Sequence, residues 1–180
     1  MLSLINARCS DENHHRCENF FDGEDDLDMI EHEHELRAPE SDDEWRALHD
    51  IRRKVLFENR GKFETYIENH PDDFKAGHHP LVLLYKGVVI GAVRVEVSGR
   101  VAWFRRVAIR DDLQRMGHGR VLLRLAEEFA KVEGCEEVRS NAAVEAVGFY
   151  ERCGYQRDVS ESSAPNSVRV RKSLHLSLHG

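Results

Sequence analysis

The first compact element that the hydrophobic pattern predicts is an amphipathic helix preceded by a short strand. The strand, E-L-R-A-P, is ended by Pro39. Over residues 41–57 apolar side chains then recur every three or four positions, which is typical of one helical face. Ser41 and Glu44 have the spacing of a capping box at its start. The predicted stripe consists of Trp45, Leu48, Ile51 or Arg52, Val55 and Leu56. A second amphipathic segment, F-E-T-Y-I-E-N-H, follows and ends at Pro71.

Three apolar, β-branched runs in the middle of the chain predict three consecutive strands. They are L-V-L-L-Y (81–85), V-V-I-G-A-V-R-V-E-V (88–97) and V-A-W-F-R-R-V-A-I (101–109). Only Lys86-Gly87 and Ser98-Gly99 separate them, and two-residue turns that contain glycine favour antiparallel hairpins. We therefore expect an antiparallel meander.

The last third of the chain predicts a parallel connection and two more strands. A helix of about 15 residues ends at Gly134, and the strand C-E-E-V-R-S follows. A strand, a helix and a strand in this order form a right-handed crossover between parallel strands. A helix over 143–153 then precedes the strands G-Y-Q-R-D and S-V-R-V-R-K-S-L. The fold class is α+β, with a mixed, mostly antiparallel sheet flanked by helices.

The pattern of that 15-residue helix also predicts which side chains it buries. Its expected buried stripe is Leu122, Leu125, Ala126, Phe129 and Val132. Glu127 and Lys131, four residues apart, are expected to pair on the solvent side.

Charge divides the chain into two parts. Residues 1–44 hold 15 acidic and three basic side chains, whereas the remainder carries a net charge of +5 within a total of −7. We expect a flexible acidic extension over 1–34 and one domain over 35–180. A mildly basic domain suits an anionic ligand such as a phosphate-bearing cofactor. Nucleic-acid binding would need a denser basic stripe with aromatic side chains placed for stacking, so it is not predicted.

Composition and the N-terminus indicate the compartment. Hydrophobic residues make up 41% and charged residues 33% of the chain, which is typical of a globular protein. No apolar run approaches the roughly 20 residues that a membrane span needs, and the start lacks the basic and apolar regions of a signal peptide. The prediction is a cytoplasmic protein that does not insert into a membrane.

The four cysteines are read as thiols, and the strongest candidate metal site lies in the acidic extension. Cys9, His14, His15 and Cys17 lie close together, and His32 and His34 follow. Zinc takes such ligands, but the short Cys-x-x-Cys or His-x-x-x-His pairs of zinc sites are missing. No metal is predicted, and a metal-sensing role for this segment stays as an alternative.

The strongest chemical signal is the loop Q-R-M-G-H-G-R, which joins a strand to a helix. Main-chain N–H groups and the helix dipole make such a junction an anion site. Gly117 and Gly119 permit a close approach of the backbone, and Arg115 and Arg120 add positive charge. The third glycine of a dinucleotide-binding fingerprint and the Gly-Lys-Ser/Thr end of a P-loop are both absent, so a third kind of nucleotide site remains.

Two motifs together resemble the GNAT superfamily of acyl-CoA N-acyltransferases. The segment R-R-V-A-I-R-D-D-L-Q-R-M-G-H-G-R-V-L-L is similar to motif A of that family, whose loop reads Gln/Arg-x-x-Gly-x-Gly/Ala. The segment A-V-G-F-Y-E-R-C-G-Y is similar to motif B. The resemblance covers roughly residues 35–175. It implies that the strands on either side of the 15-residue helix splay apart and hold acetyl-CoA, the acyl donor, between them.

The resemblance also implies roles for individual residues. The main chain of Val107, Ala108 and Ile109 would pair with the pantetheine arm of the cofactor. The loop residues would surround the diphosphate; they are Gln114, Arg115, Met116, Gly117, His118, Gly119 and Arg120. Tyr150 would both contact the cofactor and act as the acid that protonates the leaving thiolate, with a purely packing tyrosine as the alternative. Asn141 would contact the cofactor or, alternatively, cap the following helix.

The predicted function is direct transfer of an acyl group, most simply acetyl, to a primary amine on a small molecule or peptide. The alternative is a non-catalytic CoA-binding regulatory module on the same fold. Glu96 and Glu145 are candidate general bases, with solvated carboxylates or a water chain as the alternatives, and His78 and His79 are candidate acceptor contacts or plain loop residues. The acceptor, the acyl length and the oligomeric state, including a homodimer, stay open.

Overall fold

The computed structural model describes residues 33–158 and 166–174. Within them one mixed seven-stranded sheet has the order β1-β2-β3-β4-β5-β7-β6. The strands are β1 (His34–Arg37), β2 (His78–Tyr85), β3 (Val88–Ser98), β4 (Val101–Ile109), β5 (Glu137–Ala143), β6 (Gln156–Arg157) and β7 (Ser167–Ser173). The helices are α1 (Asp42–Leu56), α2 (His118–Val132) and α3 (Val147–Arg152). Only the β4–β5 pair is parallel, which confirms the predicted fold class.

Helix α1 forms where the sequence predicts it and begins with the expected cap. The backbone N–H of Glu44 donates to Oγ of Ser41 at 3.3 Å, and the carboxylate of Glu44 accepts from the N–H of Glu40 at 2.7 Å. Arg37 on β1 binds the same carboxylate, and its hydrogen bonds lower the pKa of Glu44 to about 2. The buried face of α1 includes both Ile51 and Arg52. The cap therefore also ties α1 to β1.

The second amphipathic segment does not form a helix. Residues 61–70 run as turns, and Glu64 and Asn69 adopt left-handed backbone conformations with φ of 59° and 53°. A helical residue needs negative φ, so these two positions exclude a continuous helix. The segment is organised by a tertiary contact instead, because Nδ1 of His49 and the hydroxyl of Tyr66 lie 2.7 Å apart.

Helix α2 has the predicted length but a different buried face. Val132 is 85% exposed, so its place in the predicted stripe is wrong. The fully buried apolar side chains are Val121, Leu122, Leu123, Ala126 and Ala130. The predicted pair of Glu127 with Lys131 is also wrong. Glu127 is buried and binds Tyr155 and Lys172, because β7 and the segment after α3 cover that side of the helix. Lys131 pairs with Glu128.

The two faces of the sheet carry separate apolar clusters. The larger cluster packs α2 and α3 against side chains such as Leu83, Val93, Phe104 and Val138. The smaller one packs α1 against the opposite face of β2 to β4, at residues including Val82 and Ala108. Residues 144–146 form a short 3₁₀ turn, so the helix expected over 143–153 begins only at Val147. No helix of the described ranges is both long and apolar enough to cross a bilayer.

The parallel pair opens along its length, as the sequence resemblance implies. Strand β4 pairs with β5 only from Val101↔Glu137 to Phe104↔Ser140. Both strands continue, to Ile109 and Ala143, without pairing to each other. The edges of the two strands therefore diverge and leave a wedge.

Candidate active site

A cleft of about 880 Å³ occupies the wedge between β4 and β5. It collects residues from the end of α1, the β4 strand, the loop before α2, the end of β5 and α3. Its lining includes Val107, Ala108, Ile109, Gln114, Arg115, Gly117, Gly119, Arg120, Asn141 and Tyr150. Ten of the predicted site residues are thus brought to one cavity.

The loop before α2 presents an unusual run of unpaired main-chain donors. Arg115 and Gly117 adopt left-handed conformations with φ of 62° and 90°. Left-handed residues within a turn are typical of loops whose successive N–H groups face one anion. Within the described part of the chain, the N–H groups of residues 115–119 donate to no protein acceptor. The side-chain amide of Gln114 holds the loop by donating to the carbonyl oxygen of Ile109 at 3.0 Å. Unpaired donors at a helix N-terminus fit a diphosphate, so the residues present suit CoA.

Two predicted loop residues turn their side chains elsewhere. Met116 is 55% exposed and projects into solvent. His118 is buried against β1, where its Nδ1 lies 2.9 Å from Nε2 of His34 and its ring lies 5.1 Å from that of Tyr85. Burial lowers the pKa of His118, and the neighbouring His34 adds to this effect. At these two positions only the main chain is available to the cleft.

A β-bulge in β4 is the feature that sequence reasoning missed. Ala92 pairs with Ala108 and Arg94 with Arg105, so β4 has one extra residue between these pairs. Arg106 lies at the bulge and has a left-handed backbone conformation with a φ of 56°. A bulge takes main-chain groups out of the ladder, and this one lies where β5 has already separated from β4. The sequence contains no glycine or asparagine at this point that would have marked a left-handed residue.

Tyr150 lies at the narrow end of the wedge, where β4 and β5 still pair at Phe104 and Ser140. Its side chain is buried, and its hydroxyl lies 3.4 Å from Oγ of Ser140. That serine also contacts the carbonyl oxygen of Phe104 at 3.0 Å, so it spans the last paired rung of β4 and β5. Burial raises the pKa of Tyr150, and the phenol therefore keeps its proton at neutral pH. A protonated phenol at this point can donate a proton to a group in the wedge.

Glu96, one of the candidate bases, is held by arginines. Arg94 and Arg105 bind its carboxylate at 2.6 and 3.3 Å, and Nδ1 of His78 lies 3.9 Å away. Glu145 lines the cleft and pairs with Arg60 at 3.6 Å. The oxygens of Glu96 are therefore engaged by two arginines, whereas Glu145 is 72% exposed.

The contacts of three further residues, His79, Asn141 and Cys153, bear on the roles that the sequence suggested for them. The ring of His79 packs against Phe129 of α2 at 5.1 Å between centroids. Asn141 lies on β5 and lines the cleft, while the following turn is capped at Ala143 without a side-chain hydrogen bond, so the capping alternative is wrong. Cys153 lines the cleft as well, but burial raises the pKa of its thiol and keeps it protonated. Cys9, Cys17, His14 and His15 lie outside the described residues.

The match to a family model agrees with this geometry. Residues 43–155 match the acetyltransferase (GNAT) family. That span includes the loop before α2, both sides of the wedge and Tyr150. The chain belongs to the GNAT family, and it is an N-acetyltransferase of that family.

Individual relatives are similar over most of their length. A Bacillus subtilis (strain 168) protein that is provisionally named as an acetyltransferase is 25% identical over 119 residues, 64% of this chain and 79% of its own. The crystal structure of a provisionally named N-acetyltransferase from Lactobacillus plantarum is 28% identical, with a TM-score of 0.65 over 79% of this chain and 97% of its own. The spermidine N-acetyltransferase of Vibrio cholerae, solved with CoA and spermine, shares the fold at 22% identity and a TM-score of 0.62 over 79% of this chain and 96% of its own.

Proposed function

We propose that the domain over residues 35–180 transfers an acetyl group from acetyl-CoA directly to the amine of a small molecule or peptide. The observation that carries this proposal is the run of unpaired N–H groups at residues 115–119, which lies at the wide end of the wedge. Acetyl-CoA supplies an activated acyl group in the form of a thioester.

The wedge supports a defined orientation of the donor. Residues 107–109 form an edge of β4 that β5 does not pair with, so they suit the amide groups of a pantetheine arm. The bulge at Arg106 and the Ser140–Tyr150 pair then lie further along the wedge, toward its narrow end. A main-chain N–H in the bulge is placed to stabilise negative charge that develops on a carbonyl oxygen.

Tyr150 is proposed as the acid. Among the described residues its hydroxyl makes only a long, 3.4 Å contact with Oγ of Ser140, so its proton can be donated to a leaving sulfur. The attacking amine must be neutral, and free alkyl amines have a pKa near 10.4. Because Arg94 and Arg105 engage the oxygens of Glu96 and Glu145 is largely exposed, we propose an ordered water as the acceptor for the amine proton.

Direct transfer fits the cysteine environment better than a covalent intermediate. Cys153 is the cysteine in the cleft lining among the described residues, and its raised pKa disfavours the thiolate that nucleophilic attack requires. We therefore place the acyl donor and the amine together in one complex.

The proposal is tested with the purified full-length chain. Calorimetry measures CoA and acetyl-CoA binding, and a thiol reagent measures CoA release in the presence of a panel of primary amines. We expect acetyl-CoA binding and release that depends on the amine. Binding without amine-dependent release would instead support the non-catalytic module, and no binding would overturn both. Propionyl- and butyryl-CoA in the same assay define the acyl length.

A further inference from the structure

A chain of alternating charges runs beneath the narrow end of the cleft, on the α1 face of the sheet. Arg52 binds Asp73 at 2.9 Å, and Arg94 binds the other oxygen of Asp73 at 3.3 Å. Arg94 also binds Glu96 at 2.6 Å, and Glu96 accepts from Arg105 at 3.3 Å. Three arginines thus share two carboxylates. The members Arg52, Asp73 and Arg94 are almost fully buried.

This network has more positive than negative charge. Nε and Nη2 of Arg52 are buried without a hydrogen-bond partner, although its side chain is only 1% exposed. Asp72 lies 3.7 Å from Arg94, but Lys75 binds the same carboxylate and offsets it. An uncompensated buried charge is costly, so the network favours any anion that approaches it.

Arg106 adds a further positive charge where the network meets the cleft. Its guanidinium lies over the ring of Phe57 at 5.0 Å, and within the described ranges no carboxylate lies within ion-pair distance of it. The surrounding protein lowers the pKa of Arg106, and the nearby Arg94 and Arg52 lower it further. Arg105 is fixed beside it, because its guanidinium stacks on Trp103 at 4.4 Å.

Arg105 and Arg106 lie apart from Arg115 and Arg120, the arginines beside the proposed diphosphate site. Arg115 and Arg120 lie at the wide end of the cleft, beyond Ile109. Arg105 precedes Ile109 by four residues of strand, roughly 13 Å at about 3.3 Å per residue. Arg105 and Arg106 therefore lie near the proposed position of the transferred acyl group rather than near the diphosphate.

Among the residues that the structure describes, the other charged groups at this end of the cleft do not cancel the excess. Arg60 and Lys62 line it as well, and Glu145 is paired with Arg60. Arg106 lies on the α1 side of the sheet, over Phe57 at the end of α1, whereas α2 and α3 cover the other face.

We propose that the acceptor is an amine that also carries an anionic group, a carboxylate or a phosphate, and that Arg105 and Arg106 bind this group. This inference rests on the proposed transferase function. Guanidinium groups bind carboxylates and phosphates in a bidentate manner, and the stacked Arg105 is already ordered for such a contact. A polyamine, with several positive charges, meets repulsion at the same place.

The test compares amines that differ only in the anionic group. Phosphoethanolamine is compared with ethanolamine, β-alanine with β-alaninamide, and 1,4-diaminobutane represents the polyamines. We expect kcat/KM to be at least about 10-fold higher for one anionic amine than for its neutral partner. The two pairs distinguish phosphate from carboxylate recognition. Equal or faster turnover of the neutral amines or of diaminobutane would overturn the inference and leave the transferase function intact.

A matched pair of variants tests the residue assignment. Arg106→Gln should lower kcat/KM for the anionic amine by about 10- to 100-fold, mainly through the acceptor KM, with the KM for acetyl-CoA unchanged. Arg139→Gln is the control, because Arg139 lies over the same Trp103 at 5.9 Å but is paired with Glu137. An equal effect of both variants, or no effect of Arg106→Gln, would contradict the assignment.

Calorimetry keeps the inference testable if no amine in the panel is acetylated. Phosphoethanolamine and β-alanine are titrated into the protein with and without CoA, and ethanolamine serves as the reference. Binding of either anion that Arg106→Gln abolishes supports the anionic site, even where the transferase proposal has failed. Absence of binding, or equal binding of ethanolamine, overturns the site.

Discussion

Replacement of Tyr150 by phenylalanine removes one oxygen atom from the narrow end of the wedge. The ring stays packed, and Ser140 keeps its contact with the carbonyl oxygen of Phe104 at 3.0 Å. The lost contact with Ser140 is long, at 3.4 Å, so the free energy of unfolding should fall by less than about 1 kcal/mol. The rate effect should be much larger, because a positioned acid contributes about 10²- to 10⁴-fold, equivalent to about 3 to 5 kcal/mol of barrier.

Tyr155→Phe is the matched control for this experiment. The hydroxyl of Tyr155 donates to the buried carboxylate of Glu127 at 2.9 Å, and its removal leaves that oxygen without this donor. We expect the free energy of unfolding to fall by about 1–3 kcal/mol, with kcat per folded molecule unchanged. Tyr150→Phe should therefore lower kcat with little loss of stability, and Tyr155→Phe should lower stability with little loss of kcat.

Urea denaturation and amine-dependent thiol release, measured on the same preparations, check both variants. The KM for acetyl-CoA should stay close to the wild-type value in Tyr150→Phe, since the main-chain donors of residues 115–119 are untouched. Wild-type turnover in Tyr150→Phe would refute the acid assignment. An equal loss of kcat in both variants would also refute it, because the effect would then come from packing.

The pH dependence of kcat follows from the raised pKa of Tyr150. Its ordinary value is about 10, and burial moves it higher, so the phenol stays protonated throughout the range from pH 6 to 9. The rate should rise with pH over this range as the acceptor amine loses its proton. Tyr150→Phe should keep this rise at a lower absolute rate. An alkaline fall of wild-type activity below pH 9 that is absent in the variant would contradict the reasoning.

Two glycines allow further predictions. Gly117→Glu should abolish CoA binding in calorimetry, because it places strain and a negative charge at a residue with φ of 90° in the anion loop, whereas Gly87→Glu, at φ of 77° in the β2–β3 turn, should leave binding intact. Loss of binding in both would contradict this reasoning. Gly91→Ala should lower the free energy of unfolding by about 1–3 kcal/mol, because its Cβ would lie 3.0 Å from the carbonyl oxygen of Ala108. Gly148→Ala, whose nearest neighbour is 3.5 Å away, should not destabilise in the same denaturation experiment, and equal losses would refute the steric argument.

Local patterns were sufficient for most of the elements and for the position of the anion loop. The capping box at Ser41, the two glycine turns and the alternation of apolar residues in β2 to β4 depend on contacts between near neighbours in the chain. The loop at residues 114–120 is likewise recognisable because glycine and a following helix have local requirements. The two short motifs that resemble the GNAT family are likewise runs of consecutive residues, so they are recognisable in the sequence alone.

Tertiary contacts decided the features that depend on distant partners. The segment around Tyr66 has the polarity pattern of a helix, but the hydrogen bond to His49 and two left-handed residues hold it in turns. Glu127 lies on the polar side of its helix by pattern. It becomes buried because Tyr155 and Lys172, which are 28 and 45 residues away in the chain, bind it. Charge burial is favourable only when such partners are present, and a local pattern carries no record of them.

The shape and charge of the cleft also depend on tertiary contacts. The bulge at Arg106 arises from the mismatch between two paired strands, and the shared carboxylates of Asp73 and Glu96 come from segments over 20 residues apart. The amino-acid sequence was sufficient to indicate a site for a phosphate-bearing cofactor, because the anion loop is made from consecutive residues. The charge that faces the acceptor became visible only in the folded chain, since the arginines of α1, β3 and β4 meet only when the sheet and helix pack together.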